Sequence, residues 1–117
     1  MTTDFEALAT RVEADDKCPF FLGKAWEALG EPDSDDFDFA IDGSLDAALA
    51  LHEAVLPSHF KPNLTLTNEH GWYVTIWRGE YRNNIYHTVG HSLNTNPAAA
   101  WVAAILRAVG AKENEDA

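Results

Sequence analysis

Two histidines, His87 and His91, have the four-residue spacing that places a pair of zinc ligands on one face of a helix. The segment around them, residues 85–91, is rich in β-branched and aromatic side chains and therefore favours a strand. Four residues of a strand span about 13 Å, so the two imidazoles cannot both lie about 2.1 Å from one metal ion. We predict no metal site and no cofactor, and we interpret these histidines as surface or edge residues.

The acidic run Asp33-Ser34-Asp35-Asp36-Phe37-Asp38 has the carboxylate density of a calcium loop. An EF-hand needs Gly at its sixth position and Glu at its twelfth, and the chain has Asp38 and Ser44 there. Alternate carboxylates of an extended segment lie about 7 Å apart, a spacing similar to that of successive backbone phosphates. We predict that Asp33, Asp35, Asp36, Asp38 and Asp42 form an acidic patch that binds the partner. A solvated acidic loop is the alternative.

A second candidate binding patch lies in the link between the last two predicted strands. Arg, Tyr and Trp, the residue types found there, are over-represented at binding hot spots, and they can also stack on a base. The predicted partner-binding residues of this patch are Trp77, Arg78, Tyr81 and Arg82. The alternative is an exposed turn in which the Arg stems lie over aromatic rings.

No motif of the chain predicts catalysis, so we expect a protein that is not an enzyme. Exposed aspartates stay ionised and are poor general acids. Cys18 precedes a predicted helix start, but Asp15 and Asp16 beside it oppose formation of a thiolate. The chain has neither a nucleophile-elbow motif nor a phosphate-binding glycine loop.

The charge of the chain indicates what it can contact. Its 117 residues include 8 Lys and Arg against 19 Asp and Glu, a formal net charge of -11. Such a charge repels nucleic acid and anionic membranes and attracts basic surfaces. A single cysteine excludes an internal disulfide and indicates a reducing, cytoplasmic compartment. The acidic N-terminal residues do not resemble a signal peptide, and no apolar run approaches the ~20 residues of a membrane span.

The centre of the chain, residues 64–91, predicts an antiparallel β-meander. Segments 64–67, 72–77 and 83–91 favour strands, and short polar links containing glycine separate them. Val74, Ile76, Ile85 and Val89 are expected on one face, and Tyr73, Thr75, Trp77, Tyr86 and Thr88 on the other. Because both faces are apolar, helices are expected on both.

Cap residues and apolar spacing predict four helices, at about residues 4–14, 19–29, 44–56 and 97–109. Gly110 is expected to end the last helix, and residues 111–117 to form a flexible acidic tail. Residues 57–63 are interpreted as a loop. Residues 31–43, the acidic connector, are expected to add a short fourth strand or an extended flap with Phe37 and Phe39 on its underside.

The predicted fold is therefore α+β, with a single domain over residues 1–117. A small antiparallel β-meander of three strands, to which a short fourth strand could be added, is covered by about four helices in an α–β–α sandwich.

Three pairs of stretches carry a family resemblance: LATRVEA (8–14) with AWEALG (25–30), SLDAALAL (44–51) with VLP (55–57), and TNPAAA (95–100) with LRA (106–108). Together they resemble small phage and prophage proteins described as an α–β–α sandwich domain. That family has no settled activity, so the resemblance implies a fold and a phage setting and no site residues.

In that setting we expect a non-enzymatic interaction protein that binds and blocks a host macromolecule in the bacterial cytoplasm. An anti-CRISPR or other anti-defence inhibitor that occludes a basic nucleic-acid-binding surface fits the size and charge. The expected partner is a host protein or complex with a basic surface, without direct binding to nucleic acid or membrane, and the chain is expected to be a monomer or homodimer. One alternative is a small-molecule or nucleotide binder with a pocket near Tyr73, Trp77 and Tyr86. Another is a structural or virion-accessory protein whose edge strand pairs with itself.

Overall fold

The computed structural model describes residues 4–14, 18–58, 60–67, 71–80 and 85–116. These residues form five helices and one antiparallel sheet of order β1-β2-β3, which confirms the predicted α+β fold with a three-stranded meander. In chain order the elements are α1 (Phe5–Glu13), α2 (Pro19–Ala28), α3 (Ser34–Ile41), α4 (Leu45–Val55), β1 (Phe60–Thr67), β2 (Gly71–Glu80), β3 (Ile85–Asn94) and α5 (Pro97–Asp116).

The acidic connector is the main correction to the predicted fold, because most of it is the helix α3. The predicted short strand or extended flap is wrong. Asp33 is the N-cap, and its carboxylate accepts hydrogen bonds from the backbone N–H groups of Asp35 (3.0 Å) and Asp36 (3.1 Å). This cap satisfies two of the amides that a helix N-terminus leaves without a partner.

The apolar residues of α3 fit a helical period as well as an alternating one. Phe37, Ala40 and Ile41 are buried, at the i, i+3 and i+4 positions of a core-facing stripe. Phe39, which an extended flap would place beside Phe37, lies off that stripe and is 59% exposed. The helix therefore turns one predicted core residue outward.

The strands are longer than the sequence pattern predicts. β1 begins at Phe60, so part of the predicted loop 57–63 is strand, and β2 continues to Glu80. His52 Nε2 lies 2.9 Å from the Phe60 carbonyl oxygen, so the backbone of Phe60 faces away from β2. Pro62, two residues later, faces the same way, and its missing N–H costs no sheet hydrogen bond at this edge.

Helix α5 lies between the sheet and the other helices. Its residues 98–106 are buried, and it packs on β2 and β3 on one side and on α1, α3 and α4 on the other. Gly90 allows the close approach of β3, since a Cβ there would lie 2.2 Å from the Ala104 carbonyl oxygen. The layering of helices and sheet agrees with the predicted sandwich. On the opposite sheet face Tyr73 is 38% exposed, so the described helices leave that position uncovered, although the sequence predicts helices on both faces.

The sequence predicts that the last helix ends at Gly110, but α5 continues to Asp116. A Cβ at Gly110 would lie 2.9 Å from the Phe5 Cβ, so this glycine permits close packing of α5 against α1. Residues 111–116 of the predicted tail are therefore helical. Among the described residues, no helix combines the length and the apolar character that crossing a bilayer requires.

Candidate partner-binding site

Helix α3 places three of the predicted site residues on one exposed stripe. Asp35, Asp38 and Asp42 are spaced i, i+3 and i+7, which puts them on the same side of a helix. We call these three residues the acidic face. Phe39 projects from the same helix, so the surface combines carboxylates with an exposed aromatic ring.

The aspartates of α3 differ in what they contribute to the helix. Asp33 caps its N-terminus, and Asp35 and Asp36 in the first turn interact favourably with the positive end of the helix dipole. Asp38 lies past that turn, and Asp42 is the C-cap, where a negative charge is unfavourable. Local helix energetics therefore explain the first three carboxylates and leave Asp38 and Asp42 without a structural role.

Within the described ranges, no Lys or Arg forms an ion pair with the acidic face. Arg107 instead binds Glu6 at 2.9 Å and Glu13 at 2.6 Å. Arg11 lies over the Phe21 ring, 4.1 Å from its centroid, and Lys24 lies over Phe20 at 4.8 Å. Since these cations sit elsewhere, the charge of the acidic face is not neutralised by the described part of the chain.

An apolar cleft of about 330 Å³ lies between α2 and α3, next to the acidic face. It is lined by Pro19, Leu22, Gly23, Trp26, Ser34, Phe37 and Asp38. The Trp26 indole N–H donates a hydrogen bond of 2.7 Å to the Pro32 carbonyl oxygen, which fixes the ring in the cleft wall. Asp38 belongs to both the cleft and the acidic face, so one surface offers an apolar recess with a carboxylate at its rim.

Two aromatic side chains of these helices are left largely in solvent. Phe20 of α2 is 74% exposed and Phe39 of α3 is 59% exposed. On α2 the core stripe is formed by Phe21, Ala25 and Leu29, which are buried. Each of the two helices that form the cleft therefore exposes one large apolar side chain outside its core stripe.

The second predicted patch is not brought to α3. Trp77 and Arg78 are half-buried residues of β2. They belong to a strand rather than a turn because β2 continues to Glu80. Trp77 is opposite Thr88, next to an irregularity in the β2–β3 register. Tyr81 and Arg82 lie outside the described residues, so the binding role of this patch stays a prediction.

A further cavity, of about 440 Å³, lies where α4 meets β1, and its wall includes His52, Lys61 and Pro62. The Trp101 indole N–H donates to His52 Nδ1 at 3.2 Å, so the imidazole proton must be on Nε2, which donates to the Phe60 carbonyl. Burial lowers the pKa of His52 below its ordinary value of 6.5. Both ring nitrogens are thus used to join α4, β1 and α5, and His52 is a structural residue.

The aromatic face of the sheet has a different character from the cleft. Tyr73 lies beside His91, with ring centroids 6.4 Å apart. Neither of the two cavities described above is lined by Tyr73 or Trp77, and the Tyr86 side chain lies outside the described residues. The nucleotide-binding alternative stays a prediction. Among the described residues, no three His, Cys, Asp or Glu side chains are grouped closely enough to hold a metal ion.

Comparison with family models, with curated proteins and with solved structures finds no match for this chain. The candidate site therefore stands on its own geometry. Sequence reasoning missed the cleft and the exposure of Phe20, although one signal was present. Phe20 and Phe21 are adjacent, so on a helix only one of them can share a stripe with Ala25 and Leu29.

Proposed function

We propose that this chain is a non-enzymatic binding protein that uses the acidic face of α3 to contact and block a macromolecule with a basic surface. One observation carries the proposal. Asp35, Asp38 and Asp42 are exposed, and no cation of the described residues pairs with them, on a chain of net charge -11. A partner presenting Lys or Arg supplies the missing counter-charges.

The energies involved favour contact with a partner over isolation. Carboxylates at i, i+3 and i+4 positions lie about 6 Å apart, where two like charges in water repel by about 0.7 kcal/mol. The fold tolerates that repulsion, and a cationic partner removes it and adds attraction. Exposed charges of one sign also steer an oppositely charged partner and raise the association rate.

The helical conformation of α3 bears on whether the acidic face can imitate the phosphates of a nucleic-acid backbone. At 1.5 Å rise per residue, Asp35 and Asp38 are about 4.5 Å apart along the helix axis, and α3 is about 12 Å long. Phosphate mimicry by alternate carboxylates requires an extended segment, whereas residues 34–41 are helical. Charge complementarity to a basic protein surface does not depend on that spacing.

The specific form of the proposal is a phage-type inhibitor of a bacterial defence complex, such as an anti-CRISPR protein that occludes a basic nucleic-acid-binding channel. It is supported by the family resemblance of the helical stretches and by the net charge. The general form, an acidic protein that binds a basic partner, depends only on the surface of α3.

The experiment compares two baits of equal charge. Asp35, Asp38 and Asp42 are changed to Asn in one, while Glu27 and Glu53 are changed to Gln and Asp46 to Asn in the control. These three control residues are exposed and lie outside α3. Immobilised wild type, acidic-face variant and control are incubated with bacterial lysate, and bound proteins are quantified by mass spectrometry at about 50 mM and about 300 mM NaCl.

We expect wild type and control to retain the same basic protein or complex at low salt, and the acidic-face variant to lose it. Retention should fall steeply at the higher salt concentration, because exposed charges are screened within about 10 Å at 0.1 M. Equal retention by the two variants would overturn the proposal, since the acidic face would then contribute no more to binding than carboxylates elsewhere on the surface.

A further inference from the structure

We infer that the cleft between α2 and α3 receives an apolar side chain of a basic amphipathic helix, and that this helix is the element by which the partner is recognised. The inference rests on the proposed function and adds the partner's local chemistry to it. The acidic face would contact Lys or Arg on the flanks of that helix, while the cleft takes the residue between them.

The walls of the cleft determine which chemistry fits. Leu22, Trp26 and Phe37 present apolar surface, and Asp38 supplies a carboxylate at the rim. Among the described residues no Lys or Arg lines the cleft, so an anionic ligand would meet the Asp38 carboxylate without a counter-charge from them. An apolar group followed closely by a cation satisfies both parts of the surface.

The cleft is formed before any partner arrives. Trp26 is held by its 2.7 Å hydrogen bond to Pro32, and Phe37 is buried in the core. A preformed recess costs little ordering on binding, which raises affinity for a given contact area. Grooves of this kind between helices receive amphipathic helices, whose apolar residues recur every three or four positions.

The exposed aromatic rings extend the apolar surface beyond the cleft. Phe20 and Phe39 belong to α2 and α3 and stand largely in solvent. Neither ring lines the cleft, so contact with them needs apolar residues beyond the one that enters the cleft, and an amphipathic helix carries such residues every three or four positions. The site therefore fits a helix better than a single small cation.

Gly23 lines the cleft and keeps its wall open. A Cβ built at Gly23 meets nothing within 4 Å, and the residue does not have a positive φ. Neither close packing nor an unusual backbone conformation explains a glycine there, although glycine destabilises a helix interior relative to alanine. The Cβ of a substituted residue would therefore meet no neighbour, and we expect a larger side chain at this position to occupy the recess.

This space makes an uncharged blocking variant available. Gly23→Leu is expected to occupy the cleft, whereas Gly23→Ala adds only a methyl group to the same wall and is the matched control. Both substitutions favour helix formation, so we expect both variants to fold, and circular dichroism melts test this. Because neither changes the charge, they separate the cleft from the acidic face.

The probe is a fluorescent amphipathic peptide of about 18 residues, about five helical turns, built from Leu and Lys. A second peptide has the same composition in a scrambled order without an apolar face. Fluorescence anisotropy is measured with wild type and the two Gly23 variants, each as the full chain, and in parallel with the acidic-face variant. We expect the Gly23→Ala protein to bind the amphipathic peptide within about threefold of wild type, and Gly23→Leu to bind it at least about tenfold more weakly. The scrambled peptide should bind weakly to all three proteins.

Each other result overturns the inference. Equal affinities of the Gly23→Leu and Gly23→Ala proteins would show that the cleft is not used, and equal binding of the scrambled peptide would exclude a helix. If the acidic-face variant still loses the amphipathic peptide in those cases, the proposed function stands while the inference fails. If neither the blocking variant nor the acidic-face variant changes the affinity, both fail.

Discussion

The chain treats its acidic side chains differently in two regions, around Arg107 and along α3. Glu6 and Glu13 of α1 both bind Arg107 of α5, at 2.9 Å and 2.6 Å. Asp38 and Asp42 of α3 have no such partner among the described residues. The first group joins elements of the fold, and the second adds charge to a surface that the fold does not need.

The Arg107 group also covers the outer edge of β3. The Arg107 guanidinium donates to the His91 carbonyl oxygen at 2.6 Å, and the Leu93 backbone N–H donates to Glu13 at 3.0 Å. The Glu13 backbone carbonyl accepts from the Asn94 side chain at 2.8 Å. These contacts satisfy groups at the edge of the sheet that would otherwise lack partners. Carboxylates with several partners are thus structural, and carboxylates with none are candidates for binding.

The largest expected difference between the two regions is in stability. Arg107→Met removes the donor to Glu13 Oε1 and to the His91 carbonyl, and we expect the free energy of unfolding to fall by about 2–4 kcal/mol. Changing Asp35, Asp38 and Asp42 to Asn should alter it by less than about 0.5 kcal/mol. Urea unfolding followed by circular dichroism measures both, and similar losses in the two proteins would contradict the distinction.

The pH dependence of stability should come from the Arg107 group. Burial raises the pKa of Glu13, but the hydrogen bonds from Arg107 and the Leu93 amide lower it more, so the pKa lies below its ordinary value of 4.5. A carboxyl with a depressed pKa stabilises the fold fully above the unfolded value, and that contribution is lost as pH falls through the folded pKa. Glu13→Gln should therefore be less stable than wild type at neutral pH and approach it in acid.

Urea midpoints of wild type and Glu13→Gln between about pH 6 and about pH 3 test this convergence. The control is Glu27→Gln, which removes an exposed carboxylate of α2 outside the Arg107 group. A difference in urea midpoint between wild type and Glu13→Gln that stays constant across the pH range would show that the contribution of Glu13 to stability does not depend on its charge.

Asp33 is the carboxylate of α3 that belongs with the structural group. Asp33→Ala removes the acceptor for two backbone N–H groups and should cost about 1 kcal/mol, whereas Asp33→Asn keeps an acceptor and should cost little. Thermal melts of the two variants measure the difference. An Asn variant as unstable as the Ala variant would mean that the charge of Asp33, rather than its cap, supports α3.

The sequence predicted the meander well because its signals are local. Alternating apolar and polar residues, with glycine links, define each strand without reference to the rest of the chain. The helix α3 was missed because Phe37, Phe39 and Ile41 fit an alternating pattern, while burial of Phe37 and Ala40 depends on distant elements. Gly110 was misread for the same reason, since its contact is with Phe5 at the other end of the chain.

The candidate site was predictable in charge and not in shape. The aspartates of the connector are visible in the sequence, and their role as partner-binding residues stays a prediction. The cleft needs α2 and α3 to meet in space, and its two walls are separated by the turn at Gly30 and Glu31, both of which have positive φ. No local pattern shows that Trp26 and Asp38 would line the same recess.

The smallest expected effect on stability is also the one that separates the two regions most cleanly. In Asp38→Asn/Asp42→Asn, removal of a like-charge i, i+4 pair and of a charge at the helix C-terminus should raise the free energy of unfolding by up to about 0.5 kcal/mol. The matched pair Asp35→Asn/Asp36→Asn removes favourable charges from the first turn and should lower it by a similar amount. Both differences should shrink in about 1 M NaCl, where screening acts within about 3 Å.

If Asp38→Asn/Asp42→Asn gains stability and loses partner binding, Asp38 and Asp42 are binding residues. If instead its free energy of unfolding falls by more than about 1 kcal/mol, they belong with Glu13 among the residues that stabilise the fold.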